Sequence, residues 1–195
     1  TLFNYVIAAA VIGDKTFLID ATSTYADLNI LPIRDLNSSG RLIKNDGSSA
    51  EIDLMPKSNS RDILNIMGSI AANGEVSGKI KDQYYDYNAF VFRQKYNELV
   101  KESYIEKLEK RQHGLEIKEY TVQNSLDLEL PIIENYDFAS TDSAEIIGDK
   151  IFFSPLLHFA ITENPFKQEY REYPIDFEFP KQDKFNVSLT IPNGY

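Results

Sequence analysis

Tight-turn signals constrain this chain more than any other feature of it. Gly13-Asp14, Asn45-Asp46-Gly47, Asn73-Gly74 and Gly148-Asp149 each separate short apolar runs. Gly, Asn and Asp tolerate the positive φ that tight hairpin turns require. Gly13-Asp14 predicts a hairpin of Tyr5–Ile12 with Thr16–Ile19. Asn73-Gly74 joins Ile63–Ala71 to an alternating run at Val76, Gly78 and Ile80. Gly148-Asp149 joins Glu145–Ile147 to Lys150–Phe153. Short strands are also expected at Arg41–Lys44 and Glu51–Leu54, with irregular chain over 21–40. Gly68 and Gly78 predict bulges or close approach of backbones. Further strands are expected at Leu115–Val122, at Leu126–Leu130 and at Phe185–Ile191, where apolar residues alternate with polar ones.

One stretch breaks the β pattern. Over 86–112, Phe92, Tyr96, Val100, Tyr104 and Leu108 recur every four residues, with Leu99 and Ile105 widening the stripe. This predicts a long amphipathic helix, or two with a break near Ser103, ending before Gly114. Its role is to cover a sheet. The fold class is therefore α+β: mostly antiparallel β, sandwich-like or a curved sheet, with this helix packed on it. Pro56-Lys57-Ser58-Asn59-Ser60 is polar and reads as a linker. It divides the chain into 1–58 and a β-rich unit over 59–195. Phe3–Ile12 is apolar almost throughout, and such a strand is normally covered on both faces. With Thr at position 1, the chain is expected to be a piece of something longer.

Composition narrows the function classes. The 20 Lys+Arg against 30 Asp+Glu give a net charge of −10, which disfavours nucleic acid as a partner. There is no Cys, so thiol nucleophiles, disulfides and thiolate zinc sites are excluded within these residues. No run approaches the roughly 20 apolar residues of a membrane span. No phosphate-binding Gly-rich loop follows a strand, and no cofactor is expected.

Two segments resemble parts of a known architecture. FNYVIAAAVIGDKTFLIDAT, residues 3–22, resembles the end of the bacterial transglutaminase-like core. There a catalytic His opens one strand and a catalytic Asp closes the next as Asp-x-Thr. Asp20-Ala21-Thr22 matches that ending. The family His falls at Tyr5, or at Asn4 with a one-residue slip, and neither residue supplies an imidazole. NPFKQEYREYPIDF, residues 164–177, with Ser154–Leu157 before it and the terminal Ile191–Tyr195, resembles the domain of unknown function that follows that core in large bacterial envelope proteins. The resemblance implies a fragment of such a protein, secreted or periplasmic, whose partner is the remainder of the parent. It implies a Cys-His-Asp triad of which only Asp20 remains, so the expected function is that of a non-catalytic accessory module. The alternatives are a part of a cysteine acyl-transferase or peptidase that contributes Asp20, and a glycan- or peptide-binding β module.

Other constellations are weaker. His113 is expected to interact with a helix C-terminus. His158, four residues after Ser154, lacks the Gly-x-Ser-x-Gly context of a nucleophile. Asp127, Glu129, Glu134, Asp137, Asp142 and Glu145 are expected on solvated strand faces. Arg171 and Asp176 are expected to form a structural ion pair. Phe166, Tyr170, Tyr173, Phe177 and Phe179 are expected to fill a core.

Overall fold

A computed structural model describes residues 5–195. Phe3 and Asn4, which open the apolar run, lie outside the described residues. Two small hairpins come first. β1 (Ala8–Ile12) pairs antiparallel with β2 (Lys15–Ile19), and β3 (Ser39–Ile43) pairs antiparallel with β4 (Ser49–Asp53). Between them a short 3-10 turn spans Ile33–Asp35. The turns fall at the Gly-containing pairs, and Gly13 and Gly47 both have positive φ.

The centre of the molecule is a five-stranded sheet in the order β11-β5-β6-β8-β7. Its members are β5 (Ser60–Ile70), β6 (Val76–Tyr84), β7 (Leu115–Gln123), β8 (Ile132–Ser140) and β11 (Lys181–Thr190). β5 and β6 form the Asn73-Gly74 hairpin. β9 (Ala144–Ile147) and β10 (Lys150–Phe153) make a separate two-stranded hairpin. β11 returns to pair parallel with β5. A parallel pair cannot be closed by a tight turn and needs a long crossover. The chain from β10 through a 3-10 turn at Leu157–Phe159 and the irregular 160–180 stretch provides it.

Two helices cross the sheet between β6 and β7: α1 (Asp86–Asn97) and α2 (Lys101–Glu109). The break is at Glu98–Val100, where Val100 is extended, and not near Ser103. The helices lay Phe92, Tyr96, Tyr104 and Leu108 over Ile80, Ile117, Tyr120, Ile132 and Tyr136 of the sheet. Full burial of such side chains is worth about 1.5–3 kcal/mol each. Four aromatic rings, Phe92, Tyr96, Tyr104 and Tyr120, stack or tilt on each other at 5.2–6.3 Å.

One further sequence expectation is corrected. Leu126–Leu130 is a turn, not a strand. Arg93 gathers it, its Nη2 donating to the carbonyls of Asn124, Asp127 and Leu130 at 3.4, 2.5 and 2.7 Å. The strand of this region is β8, which begins two residues after Leu130. In this chain β1 lies open, with Val11 and Ile12 65% and 68% exposed.

Candidate functional site

The Asp-x-Thr ending lies immediately after β2. The β1–β2 register pairs Ala8 with Ile19, so the chain before Ala8 runs back alongside the residues after Ile19. This brings Tyr5 to Asp20 and Thr22, and the 3-10 turn adds Arg34 and Asp35. Tyr5 donates its hydroxyl proton to Asp20 Oδ2 at 2.9 Å. The Thr22 N–H donates to Asp20 Oδ1 at 2.8 Å, which closes the local turn. Arg34 Nη2 donates to Asp20 Oδ2 at 3.0 Å, to the Tyr5 oxygen at 2.9 Å and to Thr22 Oγ1 at 2.6 Å. Its guanidinium also lies 5.0 Å from the Tyr5 ring centroid. The Thr22 and Tyr5 hydroxyls are 2.8 Å apart.

The Asp20 side chain is buried, whereas that of Arg34 is half exposed. Burial by itself raises a carboxyl pKa. At Asp20 the hydrogen bonds from Thr22 and Tyr5 outweigh burial and hold the group well below the usual carboxylate range. Asp35 behaves oppositely. Burial, and then the neighbouring Asp20 carboxylate, push it up to about 6. Its Oδ2 is buried with no hydrogen-bond partner.

The sequence reading singled out Tyr5 and Asp20, which are hydrogen-bonded to each other here, and Asn4 lies outside the described residues. It missed Arg34 and Asp35, which come from an irregular stretch with no pattern pointing back at Asp20. The Tyr5 hydroxyl, the Thr22 N–H and the Arg34 guanidinium hold the Asp20 carboxylate, and none of the residues in this cluster is a histidine. No group of three or more His, Asp or Glu among the described residues is arranged to hold a metal.

A groove of about 790 Å³ opens beside this cluster, between the small hairpins and α1. Leu18, Leu31, Met55, Tyr87, Arg93 and Leu130 contribute to its lining, and Tyr5, Asp20 and Arg34 do not.

The remaining candidates resolve into structural roles. His113 meets Asp142 Oδ2 at 2.6 Å beyond the end of α2. His158 meets the Tyr136 hydroxyl at 3.1 Å, and burial pushes its pKa down to about 4. Glu134 is not on a solvated face, being 2% exposed. Asp137 pairs with Lys79 across strands at 3.1 Å. Arg171 has no ion pair with Asp176 and lies 4.6 Å from the Phe166 ring centroid instead. Of the five aromatics expected in a core, only Phe179 is buried. Phe166, Tyr170, Tyr173 and Phe177 are exposed, because the 160–180 crossover runs over the surface.

A family described as a domain of unknown function with a solved structure (DUF3858) matches residues 149–195, which span β10, the second 3-10 turn, the crossover and β11. No curated protein and no solved structure matches the chain.

Proposed function

We propose that this chain is a non-catalytic accessory module of a larger transglutaminase-like protein of the bacterial envelope, exported from the cytoplasm and acting through contacts with the rest of that protein. The single observation that carries the reading is the Tyr5 hydroxyl 2.9 Å from Asp20. On this reading Tyr5 occupies the position of the His of a His-Asp couple and cannot serve as its imidazole would. Arg34 then ties the carboxylate into a static network. The match over residues 149–195 supports the other half of the reading, a domain of unknown function at the C-terminal side. No helix of the described residues is long and apolar enough to cross a membrane.

The test is direct. The purified chain, assayed with glutamine-containing and peptide substrates, should show no amide hydrolysis or acyl transfer. Turnover that disappears in Asp20→Asn would overturn the reading in favour of a catalytic part. A second reading, a peptide- or glycan-binding module, is favoured by the exposed Phe166, Tyr170, Tyr173 and Phe177 on one crossover. It predicts a ligand whose binding is lost when Tyr170 and Tyr173 are both changed to Ala, with the melting temperature unchanged.

A further inference from the structure

Four carboxyl groups form a row across one face of the large sheet, buried at Asp82 and Glu134, half-buried at Asp62 and exposed at Asp183. Asp183 on β11 stands opposite Asp62 on β5. Asp82 on β6 pairs with Leu64, two residues along β5 from Asp62. Glu134 on β8 stands opposite Asp82. Asp82 and Glu134 are 3% and 2% exposed. An ionised carboxylate in such a place is costly unless it is compensated. Glu134 is compensated, because the Tyr84 and Tyr120 hydroxyls donate to it at 2.8 and 2.6 Å. Asp82 is not: its Oδ1 is buried with no hydrogen-bond partner. A pocket of about 90 Å³ lies among Asp62, Asp82 and Asp183, walled by Phe159 and Phe185.

The neighbouring elements bring little positive charge to this pocket. Lys184 lines it from β11. Arg111, beyond α2, acts on Glu134. α1 and α2 contribute the phenols of Tyr96 and Tyr104, and the 3-10 turn contributes His158, which meets Tyr136. No salt bridge joins Asp62 or Asp82 to a cation among the described residues. The carboxylates do not converge in a way that holds a metal either. Crowded carboxyl groups that cannot all ionise resolve the conflict by keeping a proton.

We propose that Asp62 keeps its proton in the folded protein, beside the buried Asp82, and that this proton latches the start of β11 onto the sheet. Loss of the proton leaves Asp62, Asp82 and Asp183 as like charges on three adjacent strands. Of these three strands β11 alone is at an edge of the sheet, bonded only to β5, so it yields first. The segment 149–195 ends on β11, so the latch decides whether that segment stays docked. Burial, and then the neighbouring carboxyl groups of Asp82, Asp183 and Glu134, push Asp62 up to about 9. A raised carboxyl keeps in the folded state a proton that the open state releases. Its stabilisation is fully present below the ordinary value of 3.8 and is lost as pH rises toward about 9.

Hydrogen–deuterium exchange of the whole chain across this range tests the proposal. Peptides covering Lys181–Thr190 should lose protection relative to β8 as pH rises, by up to about tenfold per pH unit after correction for intrinsic exchange. In Asp62→Asn, β11 should stay protected with no such slope, and Asp82→Asn should behave alike. Carbon-13 titration of the wild-type Asp62 carboxyl should give a value far above the ordinary range, and this measurement stands even if a variant fails to fold. A flat wild-type profile, an unchanged slope in both variants, or ordinary titration of Asp62 would each overturn the proposal. So would millimolar calcium restoring β11 protection at alkaline pH in the wild type, since a cation rather than a proton would then be the natural occupant.

Discussion

At Asp20 and Asp35, two neighbouring carboxyl groups respond to pH in opposite senses. Asp20 sits below its ordinary value, so its contribution to stability is present above 3.8 and is lost as pH falls. Asp35 sits above it, so its contribution is complete below 3.8 and is lost as pH rises through about 6. Asp35→Asn should therefore flatten the stability profile between these values and recover at most about 2 kcal/mol near neutral pH. Urea unfolding at several pH values checks this, and a profile identical to wild type would refute it. Asp20→Ala removes the acceptor of three donors. Hydrogen bonds to a charged group contribute about 1.5–3 kcal/mol, while Tyr5 and Arg34 are exposed enough to regain water, so a loss of about 2 kcal/mol is expected. A loss well under about 1 kcal/mol would reduce Asp20 to the Thr22 turn alone. Asp20, Thr22 and Tyr5 were singled out by resemblance, and the Gly13-Asp14 turn, a local rule, predicted the hairpin that brings them together. Arg34 was invisible, because no local rule links a 3-10 turn to a strand end 14 residues earlier.

Elements were legible where turn chemistry or clean alternation marked them, and illegible where a polar residue was buried. β8 presents Ile132, Glu134, Tyr136, Phe138 and Ser140 to the interior. Glu134 interrupts the apolar row, and only the tyrosine hydroxyls of β6 and β7 make it tolerable there. Leu126, Leu128 and Leu130 alternate better, yet they form a turn, since Asn124 adopts a positive φ of 63° and Arg93 collects the carbonyls. The glycine signal was sound. Gly68 and Gly78 face each other across β5 and β6, and a Cβ on Gly78 would run into the Met67 carbonyl oxygen well inside van der Waals contact. Gly78→Ala should push the strands apart and cost about 1–3 kcal/mol, the usual range for overpacking. A melting temperature unchanged from wild type would show that the strands separate freely at this point.

For the whole molecule, the α+β class was readable from element types alone, while the connectivity was not. Nothing in Lys181–Thr190 distinguishes a strand that pairs parallel with β5 from one that closes another hairpin, since side-chain alternation is the same in both. The division near Pro56–Ser60 turns on how the small hairpins meet the rest. Leu31 and Leu36 share a core with Tyr87 of α1 and Phe179 of the crossover, backed by Leu18, Met55 and Val91. The Leu31 N–H also donates to the Tyr87 hydroxyl at 3.0 Å. This second core is small beside the one between helices and sheet, which draws no residue from 1–58. Residues 59–195 should therefore fold alone, keeping the helices and all five strands of the large sheet. They should melt at a lower temperature than the full chain, because Tyr87 and Phe179 lose their cover. Circular dichroism and thermal melting of this truncation measure both outcomes. An unfolded truncation would mean that the two cores are one cooperative unit and that no boundary lies at residue 58.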